Sequence, residues 1–435
     1  MFDFCLNILC IKGKRHSSHF CTEAVHRVFF SLFFVFLSAT IGLADNSVNA
    51  DIPIAETNTN KWSVSFDTEV RYNFWLGSRG YPASSTVTNG GSGSQVYVPI
   101  SVQVSGRLAE DFKFEFLGKS GYVSSKQMTA SQVGSSNTTT DTSLTPTITY
   151  LGWESVQPFT SLTLNLPTGT RALFGDNRFA RMDGDLVDLG TFGEGFNFGP
   201  SVGLNIPFTS DLILTLTLGY TSRGVFNKEG PVSDNPQGTV KTKPGNVASV
   251  SAGLGYQLDK LSLQGSVSYS RETITYSADV PQYRAGPSYS VSGSVSYKWS
   301  DDWLSSLSVS RSYSIKNDTF DTATGDMNQE SNNSNSAVYR AAADLTYKYN
   351  SLSIGPTSSY LYRDRNGYDS ATLTFVPAKT KISAGAVASY VIDDKTSIKG
   401  RVERAWIKEF ENAGSDIPTI TSGAWLVSSG VTFNF

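Results

Sequence analysis

Apolar and polar residues alternate along most of this chain. The last segment is the clearest case. Trp425, Val427, Val431, Phe433 and Phe435 fall on one face of an extended strand, and Ser428, Gly430, Thr432 and Asn434 fall on the other. Side chains on a strand repeat every two residues, so the segment has one greasy face and one wet face. The same period recurs over about sixteen segments, each long enough to cross a bilayer as a tilted strand. They cover 61–76, 95–107, 112–123, 144–153, 158–168, 196–208, 212–223, 246–258, 261–275, 287–300, 302–316, 336–349, 351–363, 380–392, 395–409 and 422–435.

Short and long connections alternate between these segments. Glu110-Asp111, Ser210-Asp211, Asp259-Lys260, Asp301-Asp302, Asn350 and Asp393-Asp394 are tight and polar, as turn geometry favours. The stretches 77–94, 124–143, 169–195, 224–245, 317–335, 364–379 and 410–421 are longer. Most are rich in Ser, Thr, Asn and Gly. Tyr256, Tyr297, Tyr347 and Tyr390 each stand just before a tight turn, as an interfacial aromatic girdle requires. The pattern predicts an all-β fold: a transmembrane antiparallel β-barrel over residues 61–435, with lipid outside and water inside. Short turns then face the periplasm and long loops the exterior. An even strand count puts both termini on the periplasmic side.

The phase of each strand assigns its faces. In 61–76, Trp62, Val64, Phe66, Val70, Tyr72, Phe74 and Leu76 face lipid, leaving Asp67, Glu69 and Arg71 for the lumen wall. By the same reasoning Arg340 and Asp344, and further along Lys399, Arg401 and Glu403, point inward. The opposite register would place these charges in hydrocarbon, at roughly 2–4 kcal/mol each near the midplane. Arg271, Arg311 and Arg404 fall on the lipid phase, far along outward-running strands, where snorkelling to the outer interface or a bulge that resets the phase would accommodate them. A lumen bounded by sixteen strands is too wide for side chains to fill, so an aqueous channel is expected.

The N-terminal region adds a compartment. His26 and Arg27 precede an apolar run from Val28 to Ala44, with small residues at Gly42 and Ala44 and a second candidate cleavage site ending at Ala50. This reads as a signal peptide with an upstream leader over 1–44, followed by a short periplasmic segment over 45–60. Localisation in a Gram-negative outer membrane follows. Every cysteine (Cys5, Cys10, Cys21) and every histidine (His16, His19, His26) lies in that leader. A processed chain would have no Ser–His–acid triad, no thiol nucleophile and no His-ligated metal, which points away from an enzyme and from any metal or other cofactor. Lys12, Lys14, Arg15 and Arg27 against Asp3 and Glu23 give the leader a surplus of two positive charges, so the formal net charge of −3 becomes −5 without it. That balance argues against nucleic acid as a partner. The expected partners are outer-membrane lipid, small solutes, and the barrel-assembly machinery. The last would read Trp425, Val431, Phe433 and Phe435 on the C-terminal strand as an insertion signal. The sequence leaves homo-oligomerisation open.

The connection 169–195 differs from the others. It mixes the apolar residues Leu173, Phe174, Phe179, Leu186 and Leu189 with Arg171, Asp176, Arg178, Arg181, Asp183, Asp185 and Asp188. A loop with its own apolar residues packs on something. As the third external loop it either enters the barrel and sets a charged constriction or lies across the top as a lid. Arg340, Lys399 and Arg401 are the candidate wall partners. Asp183-Gly184-Asp185 lacks the rest of an EF-hand pattern.

Strand count, the position and length of this loop, and the terminal Phe435 resemble the sixteen-stranded general porins, in which the third external loop folds inward and its acids face basic residues on the wall. The Pro-Glu-Phe-Gly-Gly pattern of enterobacterial porin loops is absent. Leu164-Asn-Leu-Pro-Thr-Gly169 and Gly195-Phe-Asn-Phe-Gly-Pro-Ser-Val-Gly203 resemble the outer-membrane family associated with phenol meta-degradation pathways, which implies a barrel channel. The functional expectation is a porin-like channel for passive diffusion of small solutes. The alternatives are a transporter for hydrophobic or aromatic compounds and a non-conducting adhesion barrel. A fatty-acid-type transporter carries an N-terminal plug, for which residues 45–60 are too few.

Overall fold

The computed structural model describes residues 62–78, 91–128, 133–187, 189–229, 238–372, 374–412 and 419–435. The leader, the segment 45–60 and Asp188 lie outside the described residues. Sixteen strands form the wall: β1 Ser63–Ser78, β2 Gly91–Ala109, β3 Phe112–Met128, β4 Val133–Thr139 continued by Thr142–Tyr150, β5 Gln157–Leu166, β6 Asn197–Pro207, β7 Leu212–Arg223 and β8 Val247–Gln257. The second half comprises β9 Leu261–Glu272, β10 Ser288–Lys298, β11 Trp303–Ser314, β12 Val338–Tyr349, β13 Leu352–Arg363, β14 Lys379–Val391, β15 Thr396–Glu409 and β16 Ile420–Asn434. Each strand pairs antiparallel with its neighbours in sequence. The ring closes where β1 meets β16, from Ser65 opposite Asn434 to Leu76 opposite Gly423. Phe435 N–H donates to the Val64 carbonyl at 2.8 Å, and the Phe435 carbonyl accepts from Val64 N–H at 3.1 Å, so pairing extends to the last residue. Closure leaves no wall edge with unpaired backbone groups, as hydrocarbon demands.

All sixteen segments expected from the alternation are present. The predicted phase holds as well: Tyr72, Leu218, Val402, Trp406 and Trp425 are exposed on the outside, while Asn73, Trp75, Glu403, Ala405 and Ala424 are buried within. Two aromatic belts encircle the outer surface. Near the tight turns, Tyr297 packs edge-on against Trp299 at 4.8 Å, Trp303 meets Tyr347 at 4.9 Å, and Phe112 meets Tyr150 at 5.2 Å. Towards the long loops, Tyr269 faces Tyr289 at 5.2 Å and Tyr339 faces Tyr362 at 5.9 Å. Asn350 turns the chain between β12 and β13 at φ 53°, a conformation that asparagine tolerates.

Two regions depart from expectation. The stretch 124–143 is not a soft loop: β3 continues to Met128, still paired with β2 there, and Val133–Thr139 returns along it, so this hairpin rises beyond β5. Three other connections build a separate six-stranded sheet, ordered Met327–Gln329, Asp318–Phe320, Val280–Arg284, Thr275–Ser277, Thr239–Lys243, Phe226–Glu229. Its central hairpin turns at Ala278 and Asp279, with φ of 50° and 63°, the two positive values of a type I′ turn.

Candidate functional site

The stem of the 169–195 loop is fixed first. β4 breaks at Thr140 and Asp141, and the break frees the Asp141 carboxylate. It accepts the N–H of Gly169 at 2.9 Å and of Glu194 at 2.7 Å, clipping both ends of the loop, and takes a third bond from Asn165 Nδ2 at 2.8 Å. Gly169 is required here: a Cβ would lie 2.0 Å from the Phe192 carbonyl oxygen. From this stem the loop runs into the barrel mouth. A short 3-10 helix, Gly175–Ala180, packs against the raised hairpin, where Ser135 N–H donates to Asn177 Oδ1 at 3.2 Å.

Two apolar clusters hold the loop against inward-facing wall residues. Met182, Leu186 and Val187 bury against Trp75, Ala405, Ile407 and Ala424 of β1, β15 and β16. Leu173, Ala180 and Phe192 bury against Val123 of β3, with Tyr97 and Leu189 alongside. Burying a Leu or Val side chain contributes about 1.5–3 kcal/mol, so each cluster is a substantial anchor. Gln95, fully buried on β2, donates to Ser125 Oγ at 2.8 Å and to the Leu189 carbonyl at 2.9 Å. Phe174 is exposed and takes no part in these clusters, although its place among the loop's apolar residues suggested an anchor.

The acidic tip meets a basic wall. Asp185 lies 2.9 Å from Arg363, 3.6 Å from Lys379 and 4.0 Å from Arg340. Asp183 pairs with Lys379, whose side chain is 6% exposed, and Lys381 Nζ donates to the Asp185 carbonyl at 3.1 Å. Burial works against the charge on Asp183, which stands on the loop rather than on a spanning strand. The Lys379 and Arg363 charges outweigh that burial and hold its carboxyl below the usual carboxylate range. Arg340 is thus the one expected wall partner that reaches the tip. Lys399 pairs instead with Asp67 at 2.8 Å and Arg401 with Glu403 at 2.5 Å. Glu69 pairs with Arg71 at 3.0 Å, and Asp344 accepts the Ser306 hydroxyl at 3.3 Å.

Other loop charges bind the external sheet or the loop's own backbone. Arg181 reaches away from the wall and binds Glu229 of the external sheet through Nε at 2.7 Å and Nη2 at 3.2 Å. It also donates to the Arg171 carbonyl at 2.9 Å and lies 5.8 Å from the Phe192 ring centroid. Arg178 is buried and donates to the Leu173 carbonyl at 3.3 Å. Arg171 and Asp176 are exposed. Arg363, Lys379, Lys381 and Glu229 were not among the residues expected from the sequence. Lys379 and Lys381 were reachable by phase, since they share the lumen face of one strand with Ser383, and Arg363 likewise, since it shares the lumen face of β13 with Ser359 and Leu361.

A cavity of about 540 Å³ opens where the loop tip meets the wall. Gly184 and Asp185 of the loop face Glu69, Arg71, Arg340, Lys381, Lys399, Arg401 and Glu403 across it. This lining mixes apolar and charged side chains and carries more cations than acids. Among the described residues no group of three or more His, Cys, Asp and Glu side chains is placed to hold a metal. On the outer surface, Arg311 and Arg404 keep the lipid-facing phase with no bulge in their pairing, and each stacks on an aromatic ring.

Fold and site together define a closed sixteen-strand barrel with an apolar belt, a polar lumen and a loop docked inside its mouth. No protein-family model and no curated protein matches the chain. Among solved structures it is similar to a deletion mutant of the TodX monoaromatic hydrocarbon channel, at 12% identity over 91% of this chain and 96% of that one, with a TM-score of 0.43. OmpF of Salmonella typhi, solved with daunomycin, gives 12% identity, 86% and 98% coverage and a TM-score of 0.40. An outer membrane channel from Pseudomonas putida F1 gives 12%, 60%, 90% and 0.39.

Proposed function

We propose that this chain is a Gram-negative outer-membrane channel for passive diffusion of small hydrophilic solutes, and that the 169–195 loop forms its constriction. One observation carries the reading: the loop tip is bonded to inward-facing side chains of the wall at Arg363 and Lys379, and its apolar residues pack on Trp75 and Ile407 within the ring. Arg363 ends β13 and Lys379 begins β14, so the tip docks at the outer end of the lumen face, where Gly184 and Asp185 border the cavity. The ring of charges that results, Asp183 and Asp185 against Arg340, Arg363, Lys379 and Lys381, selects by field and by width. The gradient supplies the driving force, and no covalent step is needed.

The cavity lining also separates this reading from an aromatic-compound transporter. Five cations and three acids face that cavity, a lining that favours charged and hydrated solutes over apolar ones. Leu164–Gly169 and Gly195–Gly203, which resemble the phenol meta-degradation family, lie at the two ends of the constriction loop. They support a shared way of mounting the loop, and the charged lining sets the solute class.

Planar-bilayer recording tests the proposal. The folded protein should give a stable open conductance, and a salt gradient should give a mild reversal potential of the sign expected for anion preference. Silent bilayers, with barrel folding verified by circular dichroism and heat-modifiable gel mobility, would contradict the diffusion reading and favour a surface-interaction barrel.

A further inference from the structure

The outward face carries cations that the channel reading does not use. On β15, Arg404 and Lys408 both point to the lipid side. Thr396 begins that strand at the periplasmic end, and Arg404 comes eight residues later, roughly 20 Å higher by strand rise and tilt. That height is close to the far side of a hydrocarbon band about 25 Å tall. Arg404 Cζ stacks 5.3 Å from the Trp425 ring centroid, and its guanidinium lies over Gly423, where no side chain intervenes. Lys408 Nζ is 4.7 Å from the Phe410 ring. The same device recurs on β11, where Arg311 sits between Tyr339 at 5.2 Å and Tyr313 at 6.0 Å, with a buried Nε that has no hydrogen-bond acceptor.

None of these cations has a carboxylate partner among the described residues. Aromatic stacking orients a guanidinium and leaves its donors unfilled. A cation at a lipid interface without a protein counter-charge is complementary to an anion supplied by the lipid itself.

We propose that the outer-rim face of β15 and β16 binds the phosphate of an outer-leaflet glycolipid, with Arg404 and Lys408 as its cationic ligands. Trp425 and Phe410 hold those two side chains in place, and Trp406 between them packs against the acyl chains. The inference rests on the outer-membrane reading above, because it needs the long-loop end of the barrel to face a leaflet of phosphorylated lipid. It does not need the barrel to conduct.

The test is native mass spectrometry of the folded protein in detergent, titrated with lipid A. The wild-type barrel should retain one lipid A saturably. The double variant Arg404→Gln with Lys408→Gln should bind at least about tenfold more weakly, a difference this method resolves readily. Lipid A stripped of its phosphates should not be retained by the wild type, and millimolar inorganic phosphate should not displace the intact lipid. Arg271→Gln, an outward cation that stacks on no aromatic ring among the described residues, serves as the control and should leave retention unchanged. Equal retention of the dephosphorylated lipid, unchanged retention by the folded double variant, or displacement by inorganic phosphate would each overturn the proposal. The dephosphorylated-lipid arm uses only wild-type protein, so it decides even if the double variant fails to fold. A barrel that conducts without retaining lipid A refutes this inference alone, whereas one that retains it without conducting refutes the channel reading alone.

Discussion

The lumen has two unlike walls. On β9, β10 and β11 the inward phase is almost entirely serine, with Ser266, Ser268 and Ser270 beside Ser288, Ser290, Ser292 and Ser294, and then Ser306, Ser308, Ser310 and Ser312. Some of these hydroxyls pair across strands, as Ser266 with Ser292 at 2.7 Å and Ser288 with Ser314 at 2.6 Å. On β1, β12, β14 and β15, and at the last residue of β13, the inward phase carries charges, many of them paired locally or with the 169–195 loop. A hydroxyl can serve as both donor and acceptor and takes water freely, so a serine wall asks nothing of the rest of the chain. A lysine that is 6% exposed demands an anion. The loop therefore docks on the charged wall, because that wall lacks the acids the loop supplies. The serine wall opposite is left as the hydrated side of the passage.

The largest test of this contrast removes the loop's acids. Asp183→Asn with Asp185→Asn leaves Lys379 and Arg363 buried without counter-charge. Breaking a buried pair from one side costs about 3–5 kcal/mol, so the tip should undock. The expected outcome is a strong shift of reversal potential toward anions together with a noisier open current. An unchanged potential would mean the tip does not border the path. Acid should act in the same direction. The Asp183 carboxyl is held below its ordinary value, so the docking it provides is complete above about pH 4 and is lost as pH falls through its lower folded value.

Next in size is the tie between loop and external sheet. Arg181→Ala removes the bidentate contact with Glu229, both side chains being nearly buried. A loss of about 3 kcal/mol in local stability is expected, read as faster amide exchange over the loop and over Phe226–Glu229 together. Faster exchange on one side only would show that the two are not coupled through this pair. Smallest is Ser266→Ala on the serine wall. Stability should change by less than about 0.5 kcal/mol and conductance hardly at all, since water replaces the lost hydroxyl. A large drop in conductance would mean that the serine wall is a specific track rather than a hydrated surface.

Much of the wall was legible in the sequence because the penalty for a charge in hydrocarbon enforces a strict two-residue period. Leu212 to Tyr220 and Ile398 to Trp406 declare their faces without any knowledge of neighbours. Where that penalty is absent the signal fades. Val133–Thr139 lies above the lipid and reads Val-Gly-Ser-Ser-Asn-Thr-Thr, with no alternation to mark it as strand. The external sheet consists of strands as short as three residues, whose pairing is set by partners on other loops. At the site, the composition of the 169–195 loop announced that it would dock, but not where. Its partner Lys379 lies 196 positions from Asp183, a distance no local pattern spans. Lys399 and Arg401 looked equally eligible by phase. They lost that role because Asp67 and Glu403, on the same lumen face, already neutralise them. Asp141, which clips the stem, gave no sign at all, since its role depends on a break in β4.

A loop tip that forms the proposed constriction must border the permeation path. Gly184 allows the most direct test, because it lines the cavity and a Cβ added there meets no atom within 4 Å. A chain without residues 1–44 contains no other cysteine, so Gly184→Cys presents a single thiol. Single-channel current should be recorded before and after a negatively charged methanethiosulfonate reagent is added. A stepwise fall in open current is expected, reversed by reducing agent and absent in the wild type. Full current after verified modification would contradict it and would place the loop outside the path.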